Sequence, residues 1–204
     1  MKWWFRDFDR DEFVNVGGIA GTAQNATIER SYFKGTINTA VNRRTFVRVA
    51  GIVPIGINLN VTDCYMNADL TAKGFEMNTM IAGIVAWLDN TTIDKCYAAG
   101  TISGENLHSY CYAGGMNASA NSESIFGIIL TYGGTVKNSA VMLRSISANG
   151  TTNVTNNIGN FSSQSNNKEM SADAQEAKQQ STYESLGWDF TNIWMIDNSY
   201  PELR

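Results

Sequence analysis

The chain has 204 residues, a formal net charge of −4 and a sequence pI near 5.0, so there is no electrostatic case for binding nucleic acid or anionic lipid. It is 43% hydrophobic and 17% charged, with 18 glycines against 2 prolines, which suits one domain with a buried core. No apolar run approaches the roughly 18 to 20 residues of a membrane span, so no membrane insertion by this chain is expected, and residues 1–7 lack the uninterrupted apolar stretch of a signal peptide. The expectation is a fragment of a longer protein, or one whose export signal has been removed.

Residues 1–15 are dense in aromatics and charge, with Trp3, Trp4, Phe5, Phe8 and Phe13 set among Arg6, Asp7, Asp9, Arg10, Asp11 and Glu12. Such a segment reads as a cap over the open end of a strand stack, which needs covering. An aromatic platform for carbohydrate is the alternative.

A repeat then sets the architecture. Gly18-Ile19, Gly51-Ile52 and Gly83-Ile84 open three copies, Ile28, Val61 and Ile93 follow at one constant offset, and Ile37, Leu70 and Ile102 at a second. A fourth copy carries Val136 and comes late, with its extra length in residues 115–125. Each copy holds short runs rich in β-branched residues broken by Gly, Asn and Thr, without the 3.6 spacing of a helix. One copy buries too little to stand alone, whereas copies stacked at strand spacing place like on like and close a continuous core. The expected fold is all-β: a parallel β-solenoid (β-helix) of about four rungs over 16–46, 47–80, 81–111 and 112–160, with aromatic terminal caps and a short C-terminal helix.

Two cysteines, Cys64 and Cys96, share one column with Ser31 and Ser139. Neighbouring parallel strands rarely give a disulfide its dihedral, so free, stacked thiols are expected. Cys111 is placed outside the repeat, and an odd cysteine count argues against a disulfide framework. Arg30, Asp63, Lys95 and Asn138 form a column of alternating sign, read as outward charges that favour the correct register. Asn-x-Thr triplets at Asn25, Asn60, Asn90 and Asn149 read as turn chemistry rather than glycosylation sites.

After Asn149 the chain turns polar. A last strand and loop are expected around Ile158, then a short helix starting at Ser171 or Asp173. Residues 161–204 thus form a polar linker, this helix and an aromatic C-terminal cap containing Trp188, Phe190 and Trp194.

The stretches Gly17-Gly18-Ile19-Ala20-Gly21 with Ala26-Thr27-Ile28-Glu29-Arg30-Ser31-Tyr32-Phe33-Lys34-Gly35-Thr36-Ile37, and Ala82-Gly83-Ile84-Val85-Ala86 with Thr92-Ile93-Asp94-Lys95-Cys96-Tyr97-Ala98-Ala99-Gly100-Thr101-Ile102, resemble the GLUG repeat of bacterial surface proteins. The resemblance covers residues 16–159, and the closing aromatic pieces resemble the segment that follows such repeats in gut Bacteroidetes. It implies a right-handed β-helix and an adhesin-like protein, secreted or at the bacterial cell surface. Pro54, where a small residue is usual, and the long insertion in the fourth copy depart from the pattern.

Catalysis on such a scaffold needs acids or bases clustered on successive rungs, but Glu29, Asp63, Asp69, Asp94, Glu105 and Glu123 are spread. His108 has no companion at ligand spacing and reads as a turn residue, and no calcium-loop run is present. No catalytic residue, metal or cofactor is therefore expected. The remaining functions are an adhesin-like module contacting glycan or a host surface protein, and a stalk that displays something else; a polysaccharide-degrading enzyme is the weakest alternative. Tyr110, Tyr112, Phe126 and Tyr132, near the insertion, are the candidate ligand-binding residues; exposed rings would favour binding, buried ones the stalk.

Overall fold

The computed structural model describes residues 12–107, 111–114, 132–149, 175–197 and 199–204, with 111–114, 132–137 and 141–149 described as backbone alone. Among the described residues the fold is mostly β, built from three four-stranded parallel sheets that the chain visits in turn. The first sheet holds β1 (Glu12–Gly17), β4 (Thr45–Ala50), β7 (Thr79–Ala82) and β10 (Cys111–Gly114). The second holds β2 (Ala23–Glu29), β5 (Val53–Thr62), β8 (Val85–Asp94) and β11 (Tyr132–Lys137). The third holds β3 (Tyr32–Ala40), β6 (Tyr65–Gly74), β9 (Tyr97–Asn106) and β12 (Ala140–Asn149). Within these three sheets neighbouring strands are three places apart along the chain, so each copy of the repeat contributes one strand to each sheet.

The register follows the sequence columns. Ile28 faces Val61, Val61 faces Ile93 and Ile93 faces Val136 in the second sheet. Ile37, Leu70 and Ile102 align in the third and continue to Ile146, past an irregularity between Leu143 and Ser145. One core draws on all three sheets, with Val47 and Val49 from the first, Val61, Val85 and Ile93 from the second, and Met66, Leu70 and Ile102 from the third. The glycines lie where the first sheet bends into the second, and backbone crowds them: a Cβ on Gly18 would run into the Gly51 carbonyl, and one on Gly51 into that of Gly83.

Two corners are ladders. Asn25, Asn58 and Asn90 each adopt a left-handed backbone (φ 51°, 47° and 44°), and each amide reaches its neighbour, Asn58 Nδ2 donating to Asn25 Oδ1 at 2.9 Å and Asn90 Nδ2 to Asn58 Oδ1 at 2.7 Å. Asparagine tolerates this conformation better than most residues and carries both donor and acceptor, so one residue type meets both demands. The triplets at Asn25 and Asn90 are thus turn chemistry; the second member of the column is Asn58, not Asn60. The second corner corrects the charge column: Arg30, Asp63, Lys95 and Asn138 (φ 47°, 51°, 52° and 48°) are the left-handed residues between the second and third sheets. Asp63 is buried, so its place is set by backbone conformation and a tail contact rather than by alternating sign.

Cys64 and Cys96 are free and buried inside this corner. Each thiol is directed at carbonyls, Cys96 Sγ at Asp94 O (3.3 Å) and Val61 O (3.6 Å), and burial, then the neighbouring Cys64, pushes the Cys96 thiol well up. Cys111 is not outside the repeat: it opens β10 and pairs with Thr79.

Both ends differ from the expected caps. Residues 12–15 belong to β1, where Phe13 lies opposite Phe46, so the repeats begin before residue 16; residues 1–11 lie outside the described part. At the other end a 3-10 turn (Gln175–Lys178) and a five-residue helix α1 (Gln180–Glu184) precede a two-strand hairpin of β13 (Trp194–Met195) and β14 (Glu202–Leu203). The expected helix starts at Ser171 and Asp173, and the strand around Ile158, lie outside the described residues. The aromatic tail, expected over or beside the last rung, is buried, and it packs along a flank of the third sheet. Tyr183, Trp188, Phe190 and Trp194 form a second core with Tyr65, Tyr97, Ala99 and Ala140. Tyr32, Tyr65 and Tyr97 stack at 4.9 Å on consecutive strands; Ala140 follows in the fourth copy, and Trp188 packs on Tyr97 while its indole N–H donates to Asn138 O at 2.7 Å. Trp194 Nε1 donates to Asp63 Oδ1 at 3.0 Å, and Glu202 pairs with Lys34 at 2.6 Å. The tail therefore touches β3, β6, β9 and β12, all the strands of the third sheet.

Candidate functional site

The four candidate aromatics do not form a described cluster. Tyr110 and Phe126 lie outside the described residues. Tyr112 is in β10 opposite Met80 in the first sheet, whereas Tyr132 is in β11 opposite Asp89 in the second. Backbone register does link Tyr112 to a feature absent from the expectation, because the column it continues runs Asn15, Arg48, Met80, Tyr112.

Strand alternation builds that feature. In β4, Thr45, Val47 and Val49 are buried, Val47 and Val49 in the central core, which sends Phe46 and Arg48 to the outer face. Parallel register sets Phe13 directly against Phe46, and the rings stack at 5.1 Å with planes 9° apart. The Arg48 guanidinium lies 5.1 Å from the Phe13 ring, 5.7 Å from Phe46 and 5.9 Å from Trp87. Beside it, the column Gly17, Ala50, Ala82, Gly114 carries only small residues or none. Ala50, Met80, Ala82 and Ala86 form an apolar cluster with Trp87, separate from the interior core. Phe13 is 54% exposed, so the ring at the margin of this frame is open to solvent.

The electrostatics are unusual. The ion pairs among the described residues are Lys34–Glu202, Arg43–Glu12 and Lys73–Glu105, and none includes Arg48. Its Nε is buried without a hydrogen-bond partner, and so is Oδ1 of Asn15, its neighbour in register. Burial alone lowers the guanidinium's affinity for its proton, yet an arginine stays charged at neutral pH. Ring quadrupoles return roughly 0.5–2 kcal/mol but supply no acceptor for its N–H groups. An aromatic-framed cation of this kind can take a planar anion in a bidentate fork. The sequence carried two signals: Phe13 and Phe46 repeat at the interval of the core columns, and Arg48 interrupts an apolar strand.

Three of the described carboxylates are engaged locally. Asp63 accepts from Trp194, Asp69 from Thr101 at 2.5 Å and Asp94 from Asn138 at 2.9 Å. Among the described residues no three His, Cys, Asp or Glu side chains gather as metal ligands, and no helix is long and apolar enough to cross a membrane. His108 and Glu123 lie outside the described part.

Comparison with protein-family models matches the GLUG motif over residues 14–38. The chain carries a GLUG motif. The matched stretch takes in most of β1, all of β2 and most of β3, one strand from each sheet. Strand register aligns residues of this stretch with those of the following strands in the second and third sheets. No curated protein and no solved structure matches the chain.

Proposed function

We propose that the chain winds as a right-handed parallel β-helix of about four rungs and serves as an adhesin-like binding module outside a bacterial cell, contacting glycan or a host surface protein. The GLUG motif and the cyclic use of three parallel sheets support the architecture and the setting. The observation that carries the binding reading is Arg48, which makes no ion pair among the described residues and lies among three aromatic rings on the outer face of the first sheet. The reading is non-catalytic and needs no metal or cofactor; Asp63, Asp69 and Asp94, three of the described acids, are engaged in local hydrogen bonds.

A stalk that only displays something else is the second reading. It is favoured by the asparagine ladder, the tyrosine stack and the clasping tail, which are devices for stiffness. The test is a screen of the purified chain against mucin and plant glycan arrays with calorimetry on hits, and a product-release assay on pectin and mucin. Binding without turnover is the expected result. Silence on every array would leave the stalk, and released oligosaccharide would replace both readings with an enzyme.

A further inference from the structure

We propose that residues 1–8 of this chain add a further strand to the third sheet, on the open edge of β3, with Trp4 or Phe5 seated beside Ile37, so that the aromatic N-terminal segment closes the first turn of the core.

The third sheet ends at β3, whose side away from β6 has no partner strand among the described residues. That end of the core is uncovered. Tyr32 is 52% exposed although Tyr65, stacked on it, is buried. Phe33 and Thr39 are half-buried where Met66 and Ala72, their partners in register, are fully buried, and Gly35 is exposed where Ala68 is buried. Ile37 keeps 8% exposure while Leu70 and Ile102, which continue its column, keep none. An edge strand with a bare apolar side is a template for pairing and calls for an occupant.

The order of winding names that occupant. Each strand of the third sheet is followed along the chain by a strand of the first sheet one turn on, β3 by β4, β6 by β7 and β9 by β10. The residues that lead into β1 therefore fall beside β3. Register fixes which ones: Ala40, Lys73 and Glu105 form one column of the third sheet, and Val14, Val47, Thr79 and Cys111 one column of the first. From Ala40 to Val47 the step is seven residues, and from Lys73 to Thr79 and from Glu105 to Cys111 it is six. Counted back from Val14, the same steps put Asp7 or Phe8 beside Ala40, and hence Trp4 or Phe5 beside Ile37. Either step brings an aromatic ring to the open end of the Ile37 column. Such a ring buries on the order of 150–250 Å², so one is enough to cover the side of Ile37 that stays open.

The experiment is residue-resolved amide hydrogen exchange by NMR on the full chain at two protein concentrations, repeated for the double variant W4S/F5S. In a parallel strand alternate residues bond to opposite neighbours, so a free edge would protect only every second amide of β3. Protection of consecutive amides along β3 is expected in the parent, equally at both concentrations. In W4S/F5S the β3 amides that point away from β6 should exchange about tenfold or more faster, with those of β9, inside the sheet, unchanged. Alternate protection in the parent overturns the proposal, as does a double variant whose β3 exchanges like the parent's or whose β9 loosens equally. Protection that appears only at the higher concentration makes the occupant a second copy of the chain and overturns it too.

Discussion

Trp194→Ala tests how the tail is held. The side chain is fully buried, its ring centroid is 4.4 Å from Trp188, 6.1 Å from Tyr65 and 6.2 Å from Tyr97, and its N–H satisfies buried Asp63. Truncating a buried Trp costs about 3–5 kcal/mol, and an orphaned charged acceptor adds roughly 1–3 kcal/mol, so a loss of about 4–6 kcal/mol is expected once overlap is allowed for. At about 2–4 °C per kcal/mol for a chain of this size, the melting temperature should fall by roughly ten degrees or more. Trp194→Phe keeps most of the packing and removes the N–H, so it should cost only about 1–3 kcal/mol. Urea unfolding followed by tryptophan fluorescence and far-UV circular dichroism separates the two. If the two variants cost the same, the split between packing and hydrogen bond is wrong, and if neither costs about 1 kcal/mol, the tail is not clasped.

Ile93, buried between Val61 and Val136 in register, should not tolerate a carboxylate: Ile93→Asp is expected to abolish cooperative unfolding, and a soluble variant with a normal melt would refute the column. Lys95 adopts a left-handed conformation that costs a residue without a side-chain advantage there roughly 1–2 kcal/mol; Lys95→Asn should raise stability by about 0.5–1 kcal/mol, measured by urea midpoint. Asp189 accepts from Asn192 and Thr191, and the Asn192 side-chain amide first, then its backbone N–H, holds the carboxyl below the usual range. A lowered folded value means its contribution is present above about pH 4 and disappears as pH falls through that lower value. Protease resistance of the tail should therefore drop in that acid window in the parent and be insensitive to it in Asp189→Asn.

The interior was legible because it repeats. Ile28, Val61 and Ile93 keep their spacing while their neighbours change, and parallel pairing turns equal spacing into direct contact. The corners were half legible: Asn25 and Asn90 signalled turns, but the left-handed backbone at Arg30 and Lys95 has no sequence signature, since neither residue favours it. The tail's place could not be read, because it carries no period. Its partners, Tyr65 and Tyr97, look like ordinary strand residues until three tyrosines are seen to stack and Trp188 to cover the last. Phe13 was hidden by its charged neighbours, although its distance from Phe46 matches the repeat. Arg48 stood in one copy only, where a search for recurring features passes over it.

The proposed coil of parallel rungs rests on the stacking of strands within each sheet, and electron paramagnetic resonance of paired nitroxide labels tests it most directly. Asn38, Thr71 and Ser103 are exposed and share one register column on successive strands of the third sheet. Labels on Asn38 and Ser103 should lie two strand spacings apart, about 10 Å, and give strong dipolar broadening at low temperature. A spectrum equal to the sum of the two singly labelled chains would contradict the coil.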